Sequence, residues 1–297
     1  MKIAIIGGTG LLGSNLVKLY SNYDVKSFSR VHLNNVSRIK NNVINFDDLS
    51  NELSEFFDAW KPHIIINTVA IVSLQKCEEN YDMANNINCN IASKISKISK
   101  KYNSYFIHIS TDHYYDDQLI THTELQRVTI KNNYAQTKYN AEKEIKKNNK
   151  KAIIVRTNII GFRRGLSESF FEWLLSSLRN QNTINLYTNF YTSPISVNHL
   201  GKMLIKCYKK KLYGTYNIAS SEVIDKFSFG IKVANKFGYS AENVTSIELK
   251  KSSSDNPLRA LTLGLDVSKI ESALQEKMPT IEKTIENLYC EYVDVNE

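Results

Sequence analysis

Short apolar runs and amphipathic stretches alternate along the first 160 residues of the chain. The apolar runs are rich in isoleucine, valine and phenylalanine and predict buried strands at 2–6, 25–29, 43–46, 62–67, 105–110 and 152–156. The stretches between them carry apolar residues every three or four positions and predict helices near 11–20, 49–60, 80–101 and 133–147. Because parallel strands are joined by crossover connections, this alternation predicts an α/β fold built on a doubly wound parallel Rossmann sheet.

The pattern becomes irregular after about residue 160. Further helices are predicted near 168–180, 197–209, 226–237, 267–274 and 280–292, with short strands near 184–187 and 214–218. We therefore expect a dinucleotide-binding domain over 1–160 and a smaller, mixed C-terminal substrate lobe over 161–297, with residues 190–215 returning to the first domain.

Composition and charge argue against several classes of function. No apolar run approaches the roughly 20 residues of a membrane helix, and the N-terminus lacks the features of a signal peptide, so we expect a cytoplasmic protein with no membrane partner. The net charge of +8 arises from lysine clusters at predicted helix ends, where lysine usually forms a solvated surface, so no nucleic-acid partner is expected. The four cysteines form no CxxC pair, so no metal site is expected.

A glycine-rich turn separates the first predicted strand from the first helix. Its pattern is Gly7-x-x-Gly10-x-x-Gly13. Glycine permits the tight turn, lets the backbone approach a pyrophosphate and allows close contact between helix and strand, while the helix N-terminus attracts the phosphates. The turn therefore predicts dinucleotide binding by Gly7, Thr9, Gly10, Leu11, Leu12 and Gly13.

The end of the second predicted strand bears on the choice between NAD and NADP. An acidic residue there would bind the ribose hydroxyls of NAD, but the chain has Phe28-Ser29-Arg30. Ser29 and Arg30 suit a 2′-phosphate, so we expect NADPH as cofactor, with NADH the lesser alternative. Asp47 or Asp48, after the third strand, is expected to accept from the adenine amino group; the sequence does not choose between them.

A serine–threonine–aspartate segment and a Tyr-x-x-x-Lys pair supply candidate catalytic groups. Thr111 lies at the end of the fifth predicted strand, and the carboxyl ends of parallel strands face the ligand crevice. Tyr134 and Lys138 are four positions apart and share one helix face. An ammonium near a phenol favours the phenolate, so Tyr134 would act as general acid toward a carbonyl, with Thr111 binding the same oxygen and Lys138 also holding the nicotinamide ribose.

With these motifs in place, the chain resembles the extended short-chain dehydrogenase/reductase superfamily, and within it the dTDP-4-dehydrorhamnose reductases. The likeness covers nearly the whole chain. It is carried by the glycine turn and by Lys61 to Ala70, Asn88, His108 to Asp112, Tyr134 to Lys138, and Arg156 to Gly161.

The resemblance implies roles for further residues. Thr68, Val69 and Ala70 would contact the cofactor, and Thr111, Tyr134 and Lys138 would carry catalysis. The substrate-binding residues implied or suggested by position are Thr111, Asp112, His113, Asn158, Arg163 and Arg259. The chain departs from the family pattern at His113, which replaces an aromatic residue, and at Asp117, which replaces a glycine. In the C-terminal substrate segment, Asn256 stands where the family has arginine, and Arg259 is a candidate replacement.

Three functions remain open at this point. The first is NADPH-dependent reduction of a nucleotide-linked 4-keto-6-deoxy sugar for surface polysaccharide synthesis. The second is an NAD-dependent epimerase or dehydratase, although dehydratases of this superfamily have an Asp–Glu pair where this chain has Asp112-His113. The third is a non-catalytic, NADP-binding regulatory subunit. A homodimer is the default expectation from the frequency of twofold symmetry.

Overall fold

The computed structural model describes residues 1–31, 41–115, 117, 120–163, 167–250 and 258–296. Two compact units divide the chain. The first comprises Met1–Thr111, Asn132–Arg156 and Leu204–Tyr216, and the second comprises Asp112–Lys131, Thr157–Met203 and Asn217–Glu297. The sequence predicted ranges of 1–160 and 161–297, with about 190–215 returning to the first domain. In this division 112–131 and 157–160 fall in the second unit, and 204–216 falls in the first.

The strands are named in chain order. They are β1 (Lys2–Ile6), β2 (Asp24–Ser29), β3 (Asn41–Val43), β4 (Ile64–Asn67), β5 (Tyr105–Ile109), β6 (Thr121–His122), β7 (Ala152–Arg156), β8 (Asn158–Ile160), β9 (Ile184–Tyr187), β10 (Tyr191–Thr192), β11 (Pro194–Ser196), β12 (Gly214–Asn217), β13 (Ile224–Asp225), β14 (Val244–Ile247) and β15 (Thr262–Leu265).

The helices follow the same convention. They are α1 (Leu11–Leu19), α2 (Leu49–Trp60), α3 (Leu74–Glu79), α4 (Tyr81–Asn85), a π-helical turn (Asn86–Asn90), α5 (Ile91–Lys101), α6 (Asn133–Asn148), α7 (Phe170–Arg179), α8 (Val197–Lys209), α9 (Lys226–Phe237), α10 (Ser268–Leu274) and α11 (Ile281–Asn296). Among the described residues, no helix has both the length and the apolar character needed to cross a bilayer.

The first unit is built on a seven-stranded sheet with the order β12-β7-β5-β4-β1-β2-β3. The ladders that join β3, β2, β1, β4, β5 and β7 are parallel. Isoleucine-rich strands such as β1 and β4 are buried because helices cover both faces of a parallel sheet. The predicted fold class is therefore confirmed. The strand order reverses between β1 and β4, which is where ligands bind in open α/β sheets.

Two elements of this unit differ from the prediction. The third strand was expected at 43–46 but pairs with β2 through Asn41 to Val43. The Ile44 N–H makes one more hydrogen bond to the Ser29 oxygen, and Ile44 and Phe46 pack into the core. The single helix expected at 80–101 is divided into α4, the π-helical turn and α5. Asn80 caps the start of α4 by accepting a hydrogen bond from the Met83 N–H, and the separate helix α3 precedes α4.

In the part of the chain that the structure describes, the second unit combines short strands with helices α7, α9 and α11, which pack around an aromatic and aliphatic core. Its sheets have the orders β13-β10-β15-β6, β11-β8 and β14-β9. The core includes Phe171, Leu174 and Phe229. A capping box formed by Ser169 and Glu172 fixes the start of α7, and Asp225 caps α9 by accepting from the Ser228 N–H.

Candidate active site

The glycine turn lies directly after β1 in the first unit. Gly7 has a φ of 97°, a conformation that glycine adopts without strain. A Cβ at Gly13 would lie 2.2 Å from the Gly7 oxygen, so the close approach of α1 to the turn requires glycine there. At Gly10 a Cβ would meet only ordinary contact, 3.5 Å from the Gly7 oxygen. Packing within the protein thus accounts for Gly7 and Gly13, and leaves the space beside Gly10 for a ligand.

The segment after β4 meets this turn. Thr68 Oγ1 lies 3.0 Å from both the Ile6 and the Gly7 carbonyl oxygens, and the Thr68 N–H donates to the Ile6 oxygen. The Val69 N–H donates to Asn67 Oδ1 at 3.1 Å. The structure therefore brings together two sets of residues predicted at distant positions, the glycine turn and the segment from Thr68 to Ala70, at the point where the strand order reverses.

A cavity of about 550 Å³ lies at the β2–β3 side of the first unit. Its lining includes Arg30, Asp47 and the apolar side chains of Phe46, Ile87 and Ile91. Its lining also includes Asn45, Glu52 and Asn86, so apolar side chains that could face a flat ring lie beside polar groups that could hydrogen-bond to its edge. Sequence reasoning missed the three apolar residues, because a phenylalanine or isoleucine in a core-forming pattern carries no sign that one face is open.

The other residues predicted near this cavity have different positions. Ser29 is buried and its hydroxyl lies 2.6 Å from the Val31 carbonyl oxygen and also contacts Asn41, so its single proton is used within the protein. Asp48 precedes α2 and accepts from the Asn51 side chain at 2.8 Å. Of the residues predicted here, Arg30 and Asp47 line the cavity, and Asp47 is one of the two aspartates between which the sequence did not choose.

Lys138 projects from α6 to the end of β5. Its Nζ donates to the Ile109 carbonyl oxygen at 2.7 Å, close in sequence to the buried Thr111. Tyr134 lies one helical turn earlier, is 8% exposed and packs with Leu74. Burial lowers the pKa of Lys138 to about 8, against the opposing effect of the Glu142 carboxylate. The ammonium is therefore the main form at neutral pH, and the amine becomes accessible on mild alkalinisation.

His108, on β5, is a further buried neighbour of Lys138. Asn67 Nδ2 donates to His108 Nδ1 at 3.1 Å, and His108 Nε2 lies 3.4 Å from Lys138 Nζ. Burial, followed by the nearby Lys138 charge, lowers the pKa of His108 well below its ordinary value, so the ring is neutral. With Nδ1 accepting, Nε2 carries the proton and faces Lys138 as a donor, an arrangement that disfavours the ammonium.

Asn88 lies in the π-helical turn and ties two segments of the first unit together. Its Oδ1 accepts from the Ile71 N–H at 2.7 Å, while its Nδ2 donates to the Ile71 oxygen at 3.1 Å and to Thr137 Oγ1 at 2.9 Å. Thr137 lies next to Lys138 on α6. The π-helical turn thus positions an amide that fixes the loop after β4 against α6.

A buried ion pair supports the end of β5 from the other side. Glu142 Oε1 accepts from Ser110 Oγ at 2.7 Å and from Arg156 Nε at 3.0 Å, and Glu142 Oε2 accepts from Arg156 Nη2 at 2.7 Å. Burial opposes ionisation of Glu142, but the Arg156 charge and these hydrogen bonds outweigh it and lower the pKa of the carboxyl. Ser110 precedes Thr111, so the pair fixes the backbone that carries the predicted catalytic threonine. Neither role was evident from the sequence, because the partners meet only in the folded chain.

In the second unit, Asp112, His113 and Asn158 come together. Asn158 Nδ2 donates to Asp112 Oδ2 at 2.7 Å, and His113 Nε2 lies 3.9 Å from Asp112 Oδ1. Burial raises the pKa of Asp112, although His113 and Asn158 oppose the rise. Burial also lowers the pKa of His113. Three of the six predicted substrate residues therefore form one polar cluster.

Two other predicted substrate residues are arginines, of which Arg259 lies near enough to His113 for its charge to lower the pKa of that imidazole. Arg163 donates from Nη1 to Ser167 Oγ at 2.6 Å, and its N–H donates to Glu172. Arg259 is exposed. Asn256, the position at which the substrate segment departs from the family pattern, lies outside the described residues. Within the described ranges, no group of three or more His, Cys, Asp or Glu residues is arranged to hold a metal ion.

The chain is similar in sequence to proteins of one known family. A sequence model of the family described as RmlD substrate binding domain matches residues 1–293. The chain is similar to the probable low-salt glycan biosynthesis reductase Agl14 of Haloferax volcanii, with 24% identity over 81% of each chain. It is also similar to methionine adenosyltransferase 2 subunit beta of Rattus norvegicus, with 24% identity over 91% of this chain and 82% of that protein.

Solved structures give the same picture of the fold. The chain is similar to dTDP-4-dehydrorhamnose reductase from Bacillus anthracis, whose structure contains NADP, with a TM-score of 0.83 and 21% identity over 98% of this chain and 99% of that one.

Proposed function

The chain belongs to the RmlD substrate-binding domain family, and from that premise we propose that it is an NADPH-dependent reductase of the 4-keto group of a nucleotide-linked 4-keto-6-deoxy sugar. This membership confirms the resemblance found in the sequence motifs. The observation that carries the proposal is the position of Lys138, whose Nζ reaches the Ile109 oxygen at the end of β5 from the same helix face as Tyr134.

The residues around the glycine turn fit a dinucleotide. The open side of Gly10 and the N-terminus of α1 suit the pyrophosphate, because unpaired N–H groups and the helix dipole attract anions there. The cavity beyond β2 suits the adenosine, with Phe46, Ile87 and Ile91 against the ring and Asp47 accepting from its amino group. Arg30, at the rim of that cavity, is the residue we assign to the 2′-phosphate, and it favours NADPH over NADH.

The chemistry assigned to this chain is proton donation and carbonyl polarisation. When bound, NADPH supplies a hydride to the carbonyl carbon. The Tyr134 phenol donates its proton to the carbonyl oxygen, so that hydride and proton together convert the ketone to an alcohol. The Lys138 ammonium stabilises the phenolate that remains, and the Thr111 hydroxyl hydrogen-bonds the same oxygen.

The substrate class is proposed from the family and from the polar cluster of the second unit. Asp112 and Asn158 offer hydrogen-bonding groups suited to sugar hydroxyls, and Asp112 directly follows Thr111 in the chain. The names of two similar proteins, a glycan biosynthesis reductase and a dTDP-4-dehydrorhamnose reductase, support a nucleotide-linked sugar. Synthesis of a surface polysaccharide precursor is the corresponding proposed role.

A second candidate is favoured by one comparison. The similarity to methionine adenosyltransferase 2 subunit beta extends over a larger share of the chain than the similarity to the glycan reductase. A regulatory subunit would bind NADP without turnover and would require a different partner chain. The two candidates therefore differ in a measurable way.

The experiment is NADPH oxidation in the presence of dTDP-4-keto-6-deoxyglucose, with matched reactions that contain NADH. Turnover with NADPH that greatly exceeds turnover with NADH supports the proposal, and NMR of the product then gives its stereochemistry. GDP- and UDP-linked keto-sugars extend the test to the other nucleotides. Binding of NADPH with no reduction of any of these substrates would contradict the proposal and favour the regulatory candidate.

A further inference from the structure

Lys226, the first residue of α9, is a half-buried cation that belongs to none of the sequence motifs described above. Its Nζ lies 4.6 Å from the centre of the Phe170 ring and 5.7 Å from the centre of the Phe190 ring. Contact with aromatic faces offsets part of the lost hydration of an ammonium, but it uses none of its three N–H donors. Within the described ranges of the chain, no hydrogen-bond acceptor contacts Lys226 Nζ. A cation in these surroundings is suited to an anionic ligand.

The charges around Lys226 favour an anion as well. Burial lowers the pKa of Lys226 to about 8, against the effect of the nearby Asp112 carboxylate. That carboxylate already accepts from Asn158, and Arg259 is a second cation near the cluster, because both it and Lys226 help burial to lower the pKa of His113. Lys226 and Arg259 thus both act on this cluster, and the carboxylates nearby are already engaged, that of Asp112 by Asn158 and that of Asp225 by the Ser228 N–H.

Exposed aromatic rings lie beside this cation. Phe170 is 37% exposed and Trp173 is 39% exposed, and their ring centres are 5.8 Å apart. Trp173 lies on α7, but the core beside that helix is filled by Phe171 and Leu174. An exposed pair of large aromatic side chains suits a flat apolar group, and the Phe170 ring also contacts the Lys226 ammonium.

We infer that Lys226, Phe170 and Trp173 form the subsite for the nucleoside diphosphate part of the substrate. The ammonium of Lys226 donates to a phosphate oxygen, and the exposed rings pack against the base. The inference rests on the proposed function in taking a nucleotide-linked sugar as substrate, and it adds the residues that recognise the nucleotide. The three residues are proposed to bind the substrate, with no part in the chemical step, and all three belong to the second unit.

The test measures binding of dTDP, UDP and GDP, none of which can be reduced. In calorimetric titrations, Lys226→Met should lower the affinity for the preferred nucleotide by about tenfold or more, which is the loss expected for one charge-assisted hydrogen bond. Lys232→Met is the matched control, since Lys232 lies on the same helix and pairs with Glu282 on the surface. Lys226→Arg should retain more of the affinity than Lys226→Met, and NADPH affinity should be unchanged in all three variants.

The base contact has its own readout. The chain contains two tryptophans, so Trp60→Phe leaves Trp173 as the only source of tryptophan fluorescence. Saturation with the nucleotide should change the Trp173 fluorescence, whereas binding of inorganic pyrophosphate should change it little. Trp173→Ala should lower the affinity for the nucleoside diphosphate more than it lowers the affinity for pyrophosphate.

The outcomes separate this inference from the proposed function. Unchanged nucleotide affinity in Lys226→Met, with a wild-type enzyme that reduces the keto-sugar, overturns the inference and leaves the function intact. Lys226-dependent nucleotide binding without reduction of any keto-sugar supports the subsite and contradicts the function. A wild-type protein that binds none of the three nucleoside diphosphates overturns the inference and also the proposed substrate class.

Discussion

Arg156→Met tests the buried ion pair behind the end of β5, because it removes one partner and leaves the other in place. The Glu142 and Arg156 side chains are 0% and 3% exposed, and two hydrogen bonds join them. Of the other cations near the carboxylate in the described chain, Lys146 is half exposed and 3.8 Å away, and Lys138 donates to the Ile109 oxygen, so neither replaces Arg156. Loss of one member of such a pair usually costs about 3–5 kcal/mol, a large share of the roughly 5–15 kcal/mol that stabilises a native protein.

Urea denaturation followed by circular dichroism measures this loss. The double variant Glu142→Leu/Arg156→Met contains no buried charge at this site and should recover most of the stability, less about 1 kcal/mol for the lost Ser110 hydrogen bond. Lys232→Met, which breaks an exposed pair with Glu282, should change the free energy of unfolding by no more than about 1 kcal/mol. This role of the ion pair is refuted if Arg156→Met is as stable as Lys232→Met, or if the double variant is no more stable than Arg156→Met alone.

Four further predictions concern the proposed site. Tyr134→Phe should bind NADPH normally but lose about 10²–10⁴-fold in turnover, since only the proton donor is removed; normal turnover in a stopped assay would exclude the assignment. Arg30→Ala should weaken NADPH by about tenfold or more and leave NADH nearly unchanged, whereas equal losses in paired titrations would mean that Arg30 does not contact the 2′-phosphate. Turnover should fall as pH rises through about 8, because the lowered pKa of Lys138 means that its ammonium is lost there, and a flat rate profile across that range would argue against a role for the charge. Gly10→Ala should weaken NADPH with little loss of stability, while Gly13→Ala should destabilise the fold through the 2.2 Å approach to Gly7; similar unfolding midpoints for the two variants would contradict this distinction.

The sequence predicted the first unit well because its signals are local. A run such as Ile64 to Ile66 is buried on both faces, and a turn with Gly7, Gly10 and Gly13 permits few interpretations. The position of β3 was wrong because its three paired residues, beginning at Asn41, are polar or exposed and the apolar residues that follow belong to the core. The π-helical turn was missed because one extra residue in a helix leaves almost no trace in a hydrophobic pattern.

The second unit and the supporting residues of the site were harder to predict for a different reason. Strands of two or three residues, such as β6 and β13, are too short to show any periodicity. Glu142 and Arg156 carry meaning only as a pair formed by folding, and each taken alone is an ordinary charged residue. Trp173 follows the helical pattern of a core residue, and only the structure shows that other side chains fill that core.

The division of the chain into two units constrains how the protein can be made. The backbone passes from one unit to the other after residues 111, 131, 156, 203 and 216, so neither unit corresponds to a single gene fragment. During translation, the first unit remains incomplete until its last segment, Leu204–Tyr216, has been synthesised, and the longest segment of the second unit, Asn217–Glu297, is made only after that. Expression of an isolated half or exchange of one half between relatives would therefore cut through both units. Engineering of nucleotide specificity is better confined to point changes within a full-length chain.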